Sequence, residues 1–481
     1  MLVSMSSRAD ASKDAFRLLP SIEELLHDPR LAALAPRVSR EVWLGFLREL
    51  IERWRADIKA GKLDATGLSA RLAGTALVDE LRRAVEREGR AGIVRVVNAT
   101  GVVLHTGLGR APLHREAASA MANVAGSYCV LEVDRESGER NQRDDRLSEL
   151  LRRMTGAEAG IVVNNCAAAV YLLLNTYLAR GKRDEVIVSR GELVEIGGSF
   201  RVPDVMERAG VVLREVGTTN RTRIADYRAA AGERTSLLMK VHTSNFRVEG
   251  FTEEVTPREL AELGRELALP TAFDLGSGLI EGDDVAALPD VMGDEPRVRD
   301  AVASGVDVVC FSGDKLFGGP QSGMLVGKRA AIAALRKNPV YRALRLDKVT
   351  IAGLERTLEL YLAGRGDEVP SRAMLRASAD DLRPSAERIA AALANLPRCT
   401  VAVIPERSQP GSGAAPGVFL PTFAVRLTHE NWKPAALAAA LRRAEPPVFA
   451  RVQDDALLLD PRSLLPGDED LLLKALRSVL S

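Results

Sequence analysis

This sequence lacks the cysteine and histidine spacings that are typical of metal sites and disulfide frameworks. Its 481 residues include only four cysteines, which form no CxxC pair and no zinc-type spacing. The five histidines form no metal-ligand spacing either. These absences predict reduced thiols and no metal site.

Long apolar runs and a strong net charge are also lacking. No stretch approaches the roughly 18 apolar residues of a membrane span, and the N-terminus has no apolar signal segment. We therefore expect a cytoplasmic protein that has no membrane partner. The formal net charge of +1 gives no overall attraction for nucleic acid, so DNA is not an expected partner and an RNA ligand would need a local basic face.

Two common nucleotide-binding motifs are absent as well. The stretch TGLGR at residues 106–110 falls short of a full GxGxxG, and no GxxxxGK[ST] occurs. The sequence therefore favours neither a dinucleotide-binding fold nor a P-loop NTPase.

From residue 93, short β-branched runs alternate with segments of helical period. The predicted strands begin at residues 93, 129, 160, 185, 211, 236, 271, 307 and 324. Such alternation predicts an α/β fold with a mostly parallel sheet flanked by helices. Ligands of such sheets bind at the carboxyl ends of the strands.

The two ends of the chain have other patterns. Residues 1 to about 95 read as helical, with an apolar stripe between Trp43 and Trp54. We divide the chain into an N-terminal helical domain (1–70), a linker helix (71–95), a large α/β domain (96–345) and a small C-terminal α+β domain (346–481). The Gly/Pro-rich stretch SQPGSGAAPG at 408–417 is predicted to be the least ordered connector.

A lysine and an aspartate each follow a predicted strand. Lys315 lies in the glycine-rich stretch SGDKLFGGPQSG at 312–323, and Asp274 ends the apolar run TAFDL. In pyridoxal-phosphate enzymes a lysine forms a Schiff base with the cofactor's aldehyde, and an aspartate keeps the ring nitrogen protonated. Either residue alone is more often a solvated lysine or a helix cap. Their pairing at two strand ends favours the cofactor.

The cofactor's phosphate needs the backbone N–H groups of a helix N-terminus. The segment GIVVNNCAAAVYLLL supplies a strand, a turn and a helix, with Asn165, Cys166 and Ala167 at the turn. An ordinary turn capped by Asn165 is the alternative. Ser312, three residues before Lys315, adds a possible hydroxyl donor.

Several longer stretches carry a family resemblance. The segments VRVVNATGVVLHTGLGRAPL (94–113), SRGELVEIGGSFRVPDVM (189–206), VGTTNRT (216–222), SGDKLFGGPQSG (312–323) and KNPVYRALRLDKVTIAGLE (337–355) resemble the bacterial L-seryl-tRNA(Sec) selenium transferases, also called selenocysteine synthases. LLPSIEELLHDPR at 18–30 resembles the family's tRNA-facing helical domain. Gly107 stands where the family pattern has Asn.

The resemblance implies a fold type I pyridoxal 5′-phosphate enzyme that converts L-seryl-tRNA(Sec) to L-selenocysteinyl-tRNA(Sec). Elimination of the serine hydroxyl would give dehydroalanyl-tRNA, to which selenium from selenophosphate would add. Lys315 would act as base at Cα and Asp274 as partner of the ring nitrogen. Arg110, Arg342 and Arg345 match positions implied to bind the anionic selenium donor, for which arginine is well suited. An exposed helix face is the alternative for the last two.

The resemblance also implies an assembly. Fold type I enzymes pair so that each site borrows residues from its neighbour, so a dimer is the minimum. The family implies a homo-oligomer of five dimers, in which a tRNA(Sec) held by one subunit reaches the site of another.

Two other functions fit the same residues. A paralogous pyridoxal-phosphate lyase acting on a small amino acid or amino sugar phosphate would use the same Lys315 but would not need residues 1–70. A non-catalytic tRNA-binding protein on this fold would hold no cofactor at Lys315. These hypotheses differ in whether the N-terminal segment and the lysine are needed for activity.

Overall fold

The computed structural model describes residues 13–88, 92–179, 182–196, 200–280, 288, 292–411 and 413–480. The chain divides into two compact units, Met1–Val94 and Arg95–Ser481. Residues 1–12 of the predicted N-terminal domain and residues 197–199 of the 189–206 motif lie outside the described residues. None of the helices in the described part of the chain combines the length and the apolar character that a membrane crossing requires.

The first unit is helical, as predicted. Its helices are α1 (Ile22–Leu26), α2 (Arg40–Lys59), α3 (Ala65–Ala73) and α4 (Ala76–Glu88). Helix α2 begins where the Ser39 side chain accepts the backbone N–H of Val42, an N-cap. Its apolar stripe is buried at Trp43, Leu47, Leu50, Ile51 and Trp54, whereas Phe46 is half-buried. This stripe forms the core of the unit.

The second unit contains the strands and the remaining helices. Its strands are β1 (Val97–Ala99), β2 (Val102–Leu104), β3 (Ala159–Val163), β4 (Glu185–Ser189), β5 (Glu195–Ile196), β6 (Phe200–Arg201), β7 (Val212–Val216), β8 (Thr235–Val241), β9 (Thr271–Gly276), β10 (Val308–Ser312), β11 (Gly323–Gly327), β12 (Cys399–Gly411), β13 (Leu420–His429), β14 (Val448–Gln453) and β15 (Ala456–Leu459). Its helices are α5 (Arg115–Ala125), α6 (Asp145–Thr155), α7 (Cys166–Tyr177), α8 (Val202–Arg208), α9 (Ile224–Ala230), α10 (Pro257–Leu267), α11 (Val298–Ala303), α12 (Arg329–Lys337), α13 (Pro339–Leu344), α14 (Lys348–Leu362), α15 (Pro370–Arg376), α16 (Ala379–Leu393), α17 (Pro434–Leu441) and α18 (Asp468–Leu480).

In the described residues the larger sheet has seven strands in the order β3-β11-β10-β9-β8-β4-β7. Its pairs are parallel except those that β11 makes with β10 and β3. Along β9 and β10, alternate residues enter two different cores: Phe273 and Val309 lie in one, Ala272 and Val308 in the other. Strands β3, β10 and β11 are largely apolar because both of their faces are covered. The predicted mostly parallel α/β sheet is confirmed.

The smaller sheet, in the order β1-β14-β15-β13-β12-β2, joins distant parts of the sequence. Strand β1 pairs in parallel with β14, and β2 pairs in parallel with β12. The segment that opens the second unit therefore completes a sheet otherwise built from residues beyond 398. The division between 345 and 346 stays a prediction.

Three local predictions were wrong. The apolar run at 129–133 forms no named strand: Val130 and Val133 are exposed and the run has only an isolated bridge from Val133 to Arg140, so no sheet buries it. The run that begins at Ile93 becomes a strand only from Val97, since Ile93 is exposed. The connector at 408–417 is partly ordered, because β12 continues to Gly411 and pairs with β2.

Candidate active site

Lys315 and Asp274 lie at the carboxyl edge of the larger sheet, after β10 and near the end of β9. Both are buried, with exposed fractions of 4% and 7%. The loop after β10 is closed by hydrogen bonds from the N–H of Gly313 to Ser322 O and of Gly319 to Gly313 O. The chain thus turns back into β11 directly after presenting the lysine.

The carboxyl of Asp274 is held in a low-dielectric environment. Burial raises its pKa above the ordinary value, while the nearby charge of Lys315 and hydrogen bonds from the thiols of Cys166 and Cys310 act in the opposite direction. The two strand-end groups therefore interact electrostatically. An amine and a carboxyl are brought together where the sequence predicted.

The strand, turn and helix predicted around Asn165 are also present. Helix α7 begins at Cys166, and Asn165 caps it by accepting the backbone N–H of Ala168 at 2.8 Å. Cys166 and Ala167 are half-buried, so the first turn of this helix, whose N–H groups lack intrahelical partners, is partly exposed. Strand β11 packs directly behind the turn, because a Cβ at Gly323 would stand 2.1 Å from Asn165 O.

Ser312, the last residue of β10, is buried at 3% exposure. Its carbonyl oxygen is 2.5 Å from the position of a Cβ at Gly278, in the segment after β9. The two strand ends are therefore tightly packed against each other. A larger residue than glycine at 278 would separate them.

The three predicted arginines differ in their surroundings. Arg110 pairs with Asp314, the neighbour of Lys315, at 2.8 Å, and this contact brings the 106–110 stretch to the lysine loop. Arg345 is half-buried, and its guanidinium donates a hydrogen bond to Glu132 at 3.3 Å. Its backbone also forms an isolated β-bridge with Val163, two residues before Asn165. Arg342 is exposed near the end of α13, and within the described part of the chain no hydrogen bond or ion pair joins it to the other predicted residues.

The contacts that cover the lysine were not predicted from the sequence. Gly413 lies over Lys315: its Cβ position would be 2.7 Å from Nζ. Two residues later the backbone N–H of Ala415 donates to Glu295 Oε2 at 2.9 Å, and His242 Nε2 is 3.3 Å from the same oxygen. The glycine content of 408–417 was visible, but its contact partner lies about one hundred residues earlier.

The buried Glu295 and the half-buried His242 line a cavity of about 470 Å³. The N–H of His242 donates to Asp274 O at 2.8 Å, so the cavity lies beside β9. Glu295 Oε1 has no hydrogen-bond partner among the described residues. Glu295 therefore holds the segment around Ala415 against the sheet edge near the lysine through these hydrogen bonds.

The donor set fits pyridoxal phosphate. It combines a buried amine, a buried carboxyl and an accessible helix N-terminus, which match an aldehyde, a ring nitrogen and a phosphate. The missing Cβ at Gly413 leaves room beside Nζ that any other residue would fill. Ser277, in the segment that follows β9, has a buried Oγ without a partner among the described residues.

Two family models match the chain. One is described as L-seryl-tRNA selenium transferase and matches residues 96–465. The other is described as the selenocysteine synthase N terminal and matches residues 16–55. Together they cover parts of both compact units.

Curated relatives match over nearly the full length. An L-seryl-tRNA(Sec) selenium transferase of Moorella thermoacetica is 46% identical over 475 residues, 98% of each chain. One of Solidesulfovibrio magneticus is 48% identical and covers 96% of this chain and 97% of its own. One of Aquifex aeolicus is 44% identical and covers 90% and 93%.

Among solved structures, a D-glucosaminate-6-phosphate ammonia-lyase is similar in fold. Its TM-score is 0.57 at 22% identity, and the match covers 81% of this chain and 96% of the lyase. At this identity the similarity concerns the fold alone. The predicted fold class, that of a fold type I pyridoxal-phosphate enzyme, is confirmed.

Proposed function

The chain belongs to the L-seryl-tRNA(Sec) selenium transferase family, and on that premise we propose that it converts L-seryl-tRNA(Sec) to L-selenocysteinyl-tRNA(Sec) with pyridoxal 5′-phosphate as cofactor. The observation that carries this function is the buried pair of Lys315 and Asp274 at the sheet edge of a chain similar to these transferases over almost its whole length. A site suited to a cofactor that reacts with amines therefore occurs in a chain of the selenium transferase family.

Four groups would hold the cofactor. Lys315 would bind the aldehyde and Asp274 the ring nitrogen. The N-terminus of α7, from Asn165 to Ala167, would bind the phosphate through backbone N–H groups, with the hydroxyl of Ser312 as a further donor. When bound, pyridoxal phosphate supplies a conjugated ring that withdraws electrons from the Cα of an attached amino acid.

The chain's own residues would then move protons. Lys315 Nζ would take the proton from the seryl Cα, and the Cβ–O bond would break with loss of water. This would leave dehydroalanyl-tRNA. Selenium from selenophosphate would then add to its Cβ, Cα would regain a proton, and hydrolysis of the P–Se bond would release inorganic phosphate. Asp274, as a carboxylate, would keep the ring nitrogen protonated throughout. Burial beneath the 413–415 segment would keep bulk water away from Nζ.

Arginines would bind the selenium donor. Guanidinium groups bind phosphate-like anions through paired hydrogen bonds. Arg110 is supported by its contact with Asp314 beside the lysine, and Arg345 by its bridge to the strand that leads into the phosphate turn. Arg342 rests on the family pattern alone, since it is exposed.

The larger assembly is part of the same proposal. Residues 1–70 would contact tRNA(Sec), which is supported by the match of residues 16–55 to the family's N-terminal model. The protein would act in the cytoplasm as a homo-oligomer, at least a dimer and, by family resemblance, a decamer.

Product formation tests the proposal. Purified protein supplied with pyridoxal phosphate, seryl-tRNA(Sec) and selenophosphate is expected to release selenocysteinyl-tRNA(Sec), detected by mass spectrometry of the hydrolysed aminoacyl group. Lys315→Ala is expected to release none. A wild-type protein that binds cofactor and charged tRNA but forms no selenocysteine would refute the function.

A further inference from the structure

Two cysteines surround the carboxyl of Asp274. Cys166 Sγ lies 3.5 Å from Asp274 Oδ1, within hydrogen-bonding range for sulfur. Cys310 stands directly beside Asp274 in the sheet, as its register partner across β9 and β10. Both sulfur atoms and a carboxylate oxygen lie within 4.8 Å of one another.

The two thiols reach the carboxyl from different elements. Cys166 is the first residue of α7, the helix that carries the phosphate turn, and Cys310 is in the middle of the fully buried strand β10. The side chain of Asp274 is therefore bounded on two sides by rigid structure. Among the described residues, the side chains that hydrogen-bond to this carboxyl are these two thiols.

A thiol is a weaker hydrogen-bond donor than a hydroxyl or an amide. Strong donors stabilise a carboxylate and lower its affinity for a proton, whereas weak donors leave that affinity higher. Cys310 also stays protonated and able to donate, because the adjacent Cys166 and burial raise the pKa of its thiol. The pair thus orients Asp274 with little loss of basicity.

We propose that Cys166 and Cys310 are positioning residues that set the proton affinity of Asp274 and, through it, that of the cofactor's ring nitrogen. This inference rests on the proposed function, in which Asp274 faces that nitrogen. A more basic carboxylate holds the ring proton to higher pH. The identity of these two side chains therefore tunes how strongly the ring withdraws electrons.

The test is the protonation of the ring nitrogen, measured as its ¹⁵N chemical shift against pH in holoenzyme loaded with ¹⁵N-labelled pyridoxal phosphate. Cys166→Ser provides a stronger donor and is expected to lower the midpoint of the ring-nitrogen titration by roughly half to one pH unit. Cys166→Ala removes the donor and is expected to raise it. Cys310→Ala is expected to act as Cys166→Ala does.

Cys399→Ser is the matched control, since Cys399 lies in β12 of the other sheet, and its midpoint is expected to equal that of the wild type. Shifts of Cys166→Ser and Cys166→Ala in the same direction, or no shift in either, would overturn the inference, because a merely structural role does not reverse sign with donor strength. A wild-type protein that binds no labelled cofactor would instead refute the proposed function.

Discussion

Gly413 lies so close to Lys315 that a Cβ atom on Gly413 would stand 2.7 Å from the lysine Nζ and 3.1 Å from its Cε. The contact joins the C-terminal segment to the lysine loop across about one hundred residues of sequence. Only glycine, which has no Cβ, fits at position 413 without displacing the lysine. The site is therefore completed by a part of the chain that has no catalytic side chain of its own.

Gly413→Ala is expected to weaken cofactor binding at least tenfold, because the added methyl group would displace the Lys315 side chain. Gly417→Ala is a matched control: both glycines have a left-handed φ, +80° and +78°, but a Cβ at Gly417 meets no atom within 4 Å. Both variants carry a similar backbone cost of about 1–2 kcal/mol. Equal cofactor affinity in the two variants, measured by equilibrium dialysis, would show that the contact is unimportant.

Glu295→Ala is expected to loosen the segment that covers Lys315. The substitution removes the acceptor of the Ala415 N–H and leaves that buried group unpaired, at a cost of about 1–3 kcal/mol. Hydrogen exchange of residues 413–418 should accelerate, and the cofactor should dissociate faster. Glu295→Gln keeps an acceptor oxygen and should have a smaller effect. Unchanged exchange in Glu295→Ala would argue against this anchor.

Asp274→Asn is expected to stabilise the cofactor-free protein at neutral pH. Burial raises the pKa of Asp274, so the ionised carboxylate is less favourable in the folded than in the unfolded state. The associated stability is present below the ordinary aspartate pKa and is lost as pH rises through the raised one.

The difference in unfolding temperature between Asp274→Asn and wild type should therefore grow as pH increases from about 4 and then become constant. Asp274→Asn should also bind pyridoxal phosphate more weakly, since it cannot balance the ring-nitrogen charge. A variant that is less stable than wild type at neutral pH would contradict the electrostatic account.

Arg345→Ala is expected to slow selenium addition more than serine elimination. Loss of a charge-assisted contact with an anion costs about 1.5–3 kcal/mol, so the selenium step should slow roughly tenfold to a hundredfold. Arg345→Lys keeps the charge but not the paired donors, so its rate of selenium addition should lie between those of the wild type and Arg345→Ala. Dehydroalanyl-tRNA and selenocysteinyl-tRNA would be quantified separately. Equal losses in both steps would identify Arg345 as structural, through its contact with Glu132.

The features that could be predicted from the sequence depend on local pattern. Apolar runs that end in Asp274 and before Lys315 define two strands of one parallel sheet, and the strand-end rule brings such residues together. The turn at Asn165 has its capping residue and small neighbours adjacent in sequence. The pattern did not indicate how deeply these groups are buried. In the structure both charged groups are almost fully enclosed.

What could not be predicted depends on long-range packing. The contact of Gly413 with Lys315 and the anchor from Glu295 to Ala415 join segments more than ninety residues apart. The position of Cys310 beside Asp274 depends on strand register, which the sequence does not fix by itself. The run at 129–133 has strand-like residues but is largely exposed, so local propensity was misleading there.

Attachment of the cofactor to one lysine tests the central claim most directly. Wild-type protein loaded with pyridoxal phosphate would be reduced with borohydride, digested and mapped by mass spectrometry. The pyridoxyl group is predicted on Lys315, and not on the other buried lysine of the described residues, Lys240, whose amine is paired with Glu192 and Glu254. A pyridoxyl group found on Lys240 or on an exposed lysine, with Lys315 unmodified, would contradict the account.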